Sequence, residues 1–287
     1  MRKYSEDGKT AITAIEPGSS TLRVSTYFGW KGMVDRLGAG LLLVPGLPMI
    51  AVLVALIRLT SRGPGIYSQK RVGKDGVVYT MYKLRSMRID AEAGTGPVWC
   101  ATEKDTRITP LGYWLRKLHL DELPQLINVL RGEMSLIGPR PERPEFVRVL
   151  GETIPDYLDR LLVRPGITGL AQINLPPDTD LNSVRRKLVL DREYIANASL
   201  LLDLRMFFST FFRMVGLKGE AAMRLMCLRR DVHVTETSLQ SVSAEVTPDV
   251  VAATIEAGAT TTPSVGMRNR RNADPEDSGI LAHGAHS

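Results

Sequence analysis

Between Arg36 and Arg58 the chain carries 21 consecutive uncharged residues, LGAGLLLVPGLPMIAVLVALI. That is enough helix to cross the hydrocarbon core of a bilayer, and long for a helix buried inside a soluble domain. Pro45, Gly46 and Pro48 fall in the middle of it, where proline removes a helix hydrogen bond and presses on the preceding turn. Basic residues flank both ends: Lys31 and Arg36 before, Arg58 and Arg62 after. Positive flanks favour the cytoplasmic side. A straight spanning helix satisfies one flank only, whereas a bent helix entering and leaving by the same face satisfies both. The reading is a re-entrant membrane helix over residues 31–62, with a straight spanning helix as its rival. The run starts late and lacks a small-residue cleavage pattern, which argues against a secretory signal.

The whole chain has 287 residues, a net charge of +6 and a pI near 9.4. It is long enough for a substantial core, and its charge favours anionic partners without choosing among nucleic acid, an acidic membrane face and a phosphorylated substrate. Cys100 and Cys227 stand far apart, so neither a disulfide framework nor a zinc site is expected. Residues 1–30 read as a loose extension and 63–219 as one mixed domain. Residues 220–287 read as a basic segment followed by a disordered tail, because few large apolar residues remain to offset the cost of ordering. Within the domain, Gly65–Met87 predicts two short strands around Lys74-Asp75-Gly76, and residues 90–106 read as a loop. Leu111, Leu115 and Leu118 share a helical spacing; a second helix is expected to start close to Asp121, with Gly132 as its stop. Ser199–Leu217, rich in Leu and Phe but carrying Asp203, Arg205 and Arg213, suits a helix lying in a membrane interface or one packed in a core. The fold class is α+β and helix-dominated.

The chemistry concentrates in Asp121-Glu122-Leu123-Pro124. These residues make a good helix start: a carboxylate cap, a second acid in the first turn, and proline where its missing N–H costs little. The same place suits phosphate binding and an ionised carboxylate available as a nucleophile or metal ligand. Gly138-Pro139-Arg140-Pro141 holds an arginine between two prolines, as a rigid surface turn or as a phosphate clamp. Lys70, Arg71, Lys83, Arg85 and Arg116 add cations, and Arg164-Pro165-Gly166-Ile167-Thr168-Gly169 is a glycine loop with one more. Neither a Walker nor a dinucleotide-binding glycine pattern is present. His119 has no second ligand at metal spacing and reads as structural.

Taken in order, QKRVGKDGVVYTMYKLRSM, ITPLGYWLRKLHLDELPQLINVLRGEMSLIGPRP, RPGITGLAQIN and LDREYI, behind the Pro-broken apolar run, resemble the bacterial sugar transferase family, the monotopic polyprenyl-phosphate phosphoglycosyl transferases. The resemblance runs from about Asp35 to Lys218 and is to the short form. It implies transfer of a sugar phosphate from a UDP-sugar to polyprenyl (undecaprenyl) phosphate with Mg²⁺ and release of UMP, starting exopolysaccharide or glycoconjugate synthesis. It further implies Asp121 as nucleophile through an aspartyl-phosphosugar, and Glu122, with Asp121, as metal ligand. Lys83, Arg85, Arg116, Arg140 and Arg164 would bind phosphate. The place implied is the inner membrane, with the catalytic domain on the cytoplasmic side; a homodimer stays open. Leu47-Pro48 stands where the family often has Ser-Pro, Leu84 and Ser86 flank Arg85 in place of Phe and Thr, and Leu170 replaces an aromatic residue.

Two readings of other classes compete. A non-catalytic membrane scaffold binding anionic lipid accounts for the charge and both apolar segments, but leaves the acid pair and arginine loop without a task. Nucleic-acid binding has only the net charge behind it, with no stacking or helix-turn-helix pattern.

Overall fold

The computed structural model of the chain describes residues 21–91, 105–230 and 232. The loose start up to residue 20, most of the 90–106 loop, Cys100 and the tail from 233 onward lie outside the described residues. The first helix, α1, runs from Phe28 to Thr60 with Pro45 and Pro48 inside it. It therefore starts three residues before the expected boundary at 31. The reason is local: Ser25 is tied to a later helix through its N–H to the Ile195 carbonyl (3.0 Å) and its Oγ to the Ala198 carbonyl (2.7 Å), and Tyr27 is buried. α1 is long and apolar enough to cross a membrane. Its buried positions, Lys31, Asp35, Ala39, Leu43, Gly46, Ile50 and Ile57, recur in steps of three, four and seven and so form one stripe. The other faces expose Leu37, Leu41, Val44, Val52 and Leu59.

The strands β1 (Ile66–Val72) and β2 (Val78–Leu84) form the expected antiparallel hairpin, Ile66 opposite Leu84 and Val72 opposite Val78. Asp75 and Gly76 take positive φ in the turn, a conformation that glycine and aspartate tolerate best. Helix α2 (Pro110–Lys117) is capped by Thr109, whose Oγ1 accepts from the Gly112 N–H, with proline at its first turn. Helix α3 (Gln125–Leu130) follows, and β3 (Ser135–Ile137) pairs in parallel with β4 (Gly166–Thr168). Between those strands lies α4 (Pro144–Thr153); after them come α5 (Leu170–Asn174), α6 (Leu181–Asn197), α7 (Leu200–Met214) and α8 (Gly219–Leu225). Helix α8 and the residues after it continue past the expected domain end at 219: Ala222 is buried, and Leu228 belongs to the core that α5, α6 and α7 share.

Three apolar clusters hold these pieces. The stripe of α1 packs with Met81, Leu84, Leu115, Leu126 and Val129 from β2, α2 and α3. Phe146, Val147, Leu150, Tyr157 and Leu188 form a second cluster, and Leu170, Leu190, Tyr194 and Met206 anchor a third. Helix α7 is inverted relative to a helix on a soluble surface. Asp203, Met206 and Ser209 are buried, while Leu201, Leu204, Phe208, Phe211 and Val215 lie exposed along one face. That pattern suits a helix whose outer side meets lipid.

Candidate active site

The acid pair does not start the helix. Leu120–Glu122 form a 3-10 turn entered through His119, whose φ is 53°, and α3 begins only at Gln125. Neither acid caps a helix end, which corrects the expectation of a carboxylate cap at Asp121. Leu123 and Pro124 both take right-handed helical backbone angles, and Pro124, having no N–H, gives no backbone hydrogen bond to the turn before it.

The pair is nonetheless held firmly. Asn128 of α3 is fully buried; its Oδ1 accepts from the Tyr82 N–H (3.2 Å) and its Nδ2 donates to the Thr80 carbonyl (2.8 Å) and to Glu133 (2.7 Å). One side chain thus stitches α3 to the backbone of β2, and this brings Lys83 to Glu122. Lys83 Nζ donates to Glu122 Oε1 at 2.9 Å, and Arg140 Nη1 and Nη2 approach the same oxygen at 3.4 Å. Lys83 and Glu122 are mostly buried; the Arg140 side chain is 44% exposed.

The electrostatics separate the two acids. For Glu122, burial alone raises the pKa, but Lys83 and Arg140 outweigh it and hold the carboxyl down at about 2. For Asp121, burial and the neighbouring Glu122 charge push the pKa up, and Lys83, Arg116 and His119 offset this only in part. Burial thus works against an ionised Asp121, and the cations around it work in its favour. His119, read as structural, does set the turn, and its charge also bears on both acids. Lys83 itself is pulled down by burial against the support of Glu122. Two adjacent carboxyls with opposed shifts are the arrangement in which one serves as a reactive base or nucleophile and the other as a fixed anion.

The remaining cations divide. Arg116 Nε donates to Ser86 Oγ at 2.9 Å and is close enough in charge to act on Asp121. Arg85 turns to the end of α1, where its Nη2 donates to the Ser61 carbonyl (2.9 Å) and Oγ (2.6 Å); its buried Nε and Nη1 carry no hydrogen bond. Arg164 lies over Gly32 in α1, so closely that a Cβ there would collide with its guanidinium. Lys70 donates to Thr80 Oγ1 on the exposed side of the hairpin, and Arg71 to the Pro141 carbonyl. Lys83, Arg116 and Arg140 therefore bear on the dyad, while Arg85 and Arg164 bear on α1.

The GPRP loop is positioned by backbone contact. Gly138 and Gly166 approach so closely that a Cβ on either would meet the other's backbone; the Gly138 N–H donates to the Thr168 carbonyl and the Gly166 N–H to the Pro139 carbonyl. RPGITG is thus the strand that carries Arg140's loop. Sequence reasoning missed Asn128 and Arg160, whose Nη2 donates to the Arg140 carbonyl at 3.0 Å. Neither belongs to a motif whose chemistry stands out in one dimension, although Arg160's partner Asp191 lies in LDREYI.

Two acids on a turn, ringed by cations and partly open, can hold a polyphosphate and attack it. Among the described residues no three His, Cys, Asp or Glu side chains come together as a metal site. Two carboxylates do suit Mg²⁺, which takes one or two from the protein and completes its shell with substrate phosphates and water.

Residues 26–216 match a family model described as bacterial sugar transferase. The chain is 42% identical over 191 residues to an Aeromonas hydrophila UDP-N-acetylgalactosamine-undecaprenyl-phosphate N-acetylgalactosaminephosphotransferase, covering 67% of this chain and 45% of that one. It is 37% identical over 190 residues to a UDP-glucose:undecaprenyl-phosphate glucose-1-phosphate transferase of Xanthomonas campestris pv. campestris, covering 66% and 39%. A protein of the same name from Caulobacter vibrioides is 37% identical over 204 residues, covering 70% and 75%. The chain thus spans less than half the length of the first two relatives.

Proposed function

Because the chain belongs to the bacterial sugar transferase family, we propose that it is a phosphoglycosyl transferase moving a sugar 1-phosphate from a UDP-sugar to a polyprenyl phosphate, with Asp121 as nucleophile. The observation that carries the assignment is the pair of opposed acids: Asp121 raised by burial, Glu122 neutralised in place by Lys83 and Arg140.

In the first step an Asp121 carboxylate oxygen attacks the sugar-bearing β-phosphorus of the diphosphate. An O–P bond forms, the anhydride bond breaks, and UMP leaves with its electron pair. In the second step a phosphate oxygen of the lipid attacks the same phosphorus, expels the Asp121 carboxylate and yields a polyprenyl diphosphate sugar. Attack on a polyanion needs its charge neutralised at the equatorial oxygens. In this reading Arg140 and Arg116 do so; Lys83 holds Glu122 in place and adds its own charge. Asp121 and Glu122 would hold Mg²⁺, which supplies further neutralisation of the diphosphate. Two steps through one carboxylate let a soluble nucleotide sugar and a lipid react without meeting.

Membrane placement follows the same proposal. One domain covers the buried stripe of α1 from Lys31 to Ile57, and both basic flanks belong to that side. A helix of 33 residues is ~50 Å long, so a straight crossing would draw the covering domain into the bilayer. A same-side entry and exit, bent at Pro45 and Pro48, leaves the domain on the cytoplasmic surface with α7 in the interface.

Purified full-length protein with a polyprenyl phosphate, Mg²⁺ and a panel of UDP-sugars should release UMP. If Asp121→Asn keeps full turnover, the nucleophile assignment is wrong; lipid binding with no transfer for any sugar would favour the scaffold reading. Cysteine labelling from the periplasmic side should fail both before Arg36 and in the catalytic domain, and labelling before Arg36 would establish a spanning helix instead.

A further inference from the structure

The loop that presents Arg140 cannot hold its own shape. Pro139 and Pro141 have no N–H to give, and the carbonyls of a buried loop must find donors elsewhere. Four consecutive carbonyls do so. Pro139 accepts from the Gly166 N–H (2.8 Å), Arg140 from Arg160 Nη2 (3.0 Å), Pro141 from Arg71 Nη1 (3.0 Å) and Glu142 from the Val72 N–H (2.9 Å). The outer two donors are backbone amides of flanking strands. The inner two, on the successive carbonyls of Arg140 and Pro141, are guanidinium groups brought from the segment after α4 and from β1.

Arg160 is itself fixed in three directions. It is 9% exposed, and its Nε donates to Asp191 Oδ2 (2.9 Å) and its Nη1 to the Tyr157 hydroxyl (2.7 Å), both buried. A buried ion pair contributes little net stability compared with apolar residues of similar volume. What the pair supplies that apolar residues cannot is a donor aimed at the Arg140 carbonyl. Arg71 is similarly steadied, its Nη2 on Gln69 Oε1 (2.7 Å) and its Nη1 3.6 Å from the Glu142 carboxylate. At the other end of the lever, Arg140 meets Glu122 at 3.4 Å, near the limit of hydrogen bonding, where a shift of well under an ångström makes or breaks the contact.

We propose that Arg160, locked by Asp191 and Tyr157, and Arg71 are positioning residues that clamp the two successive carbonyls of Arg140 and Pro141 and so set the Arg140 guanidinium against the dyad. The proposal rests on the reading that Arg140 acts on the transferring phosphate. Lysine keeps the charge at either place but has one donor head, so it cannot span the three acceptors that Arg160 reaches.

The test is a double-mutant cycle on the full chain in lipid or detergent. It uses UDP-glucose, UDP-N-acetylgalactosamine or another member of the UDP-sugar panel, whichever is turned over, with UMP release as the signal. Arg160→Lys should lower kcat roughly ten- to a hundredfold with KM for the nucleotide sugar little changed. In an Arg140→Ala background the same change should cost less than about twofold, because its effect passes through the missing side chain. Equal losses in both backgrounds would overturn the clamp. Hydrogen exchange supplies a readout independent of turnover: Arg160→Lys should speed exchange of the Gly166 and Val72 amides and leave α7 unchanged. Unchanged exchange at both amides also overturns it. Should Arg160→Lys fail to fold, Arg71→Lys enters the same cycle with the same criteria. If the wild-type chain turns over no member of the UDP-sugar panel, the transferase reading is what fails, and the exchange measurement alone decides the clamp.

Discussion

The cluster of buried charge around Asp203 and the one around Glu122 are built on opposite terms. At Asp203, Lys31 bridges Asp35 (3.1 Å) and Asp203, Tyr27 and Tyr194 donate to the two oxygens of Asp203 (2.9 and 2.8 Å), and Ser135 Oγ and the Leu136 N–H donate to Asp35 (2.7 and 3.3 Å). All four carboxylate oxygens are occupied, so the cluster joins the first turns of α1 to α6, α7 and β3 with nothing left over. At Glu122 a single oxygen takes both Lys83 and Arg140, Asp121 is reached by charge at a distance, and Arg140 is half open to solvent. A satisfied network holds elements together, whereas one with spare charge at an opening is disposed to receive a ligand.

The sharpest way to separate the two is to remove one charge from each. Asp121→Asn should lower UMP release by on the order of a thousandfold or more while thermal unfolding stays where it was. Lys31→Met should do the reverse. It leaves Asp35 and Asp203 facing each other without a cation, a loss of ~3–5 kcal/mol, visible as a lowered unfolding temperature, while the surviving folded protein turns over normally. If Lys31→Met left stability intact and removed activity, the division between holding and reacting clusters would be wrong.

A smaller effect is expected from Arg140→Ala, about a hundredfold in kcat, with little change in unfolding because its side chain is 44% exposed. The last is a pH effect on stability, spread over several pH units. Glu122 titrates at about 2 in the folded chain against an ordinary 4.5. Its lowered pKa thus contributes stability that is complete above about 4.5 and lost as pH falls toward 2, amounting to roughly 3 kcal/mol. The raised Asp121 works in the opposite sense, since its proton is bound more readily in the folded state. Urea unfolding between pH 5 and 2 should therefore show a decline that Glu122→Gln reduces, while Asp105, held low by Arg107, keeps its share. A decline of equal size in the variant would assign it to other carboxyls.

Some of this was legible along the chain. The hairpin shows in the alternation around Lys74-Asp75-Gly76 and the apolar helix in its uncharged run; the Leu and Phe spacing of α7 showed a helix but left open whether its apolar side met lipid or a core. Each depends on residues within a few positions of one another. Asp121 and Glu122 were also visible as a pair, but their setting was not: the local signals of acid, acid and proline describe a helix cap equally well, and only the turn at His119 excludes it. Arg85 and Arg164 were grouped with the phosphate ligands on their charge and motif, which leave open whether a guanidinium faces the dyad or α1.

What the sequence by itself determined is the inventory and its local order: which acids are adjacent, where the apolar helix lies, which arginine sits between prolines. These follow from periodicity and short-range backbone preference, both one-dimensional. The tertiary structure decided which charges meet. Lys83 reaches Glu122 across 39 positions, Lys31 reaches Asp203 across 172, and Arg160 reaches the Arg140 carbonyl across 20. The energies that set those contacts, desolvation and Coulomb attraction, depend on distance in space and on burial, and neither quantity is written in the order of the residues.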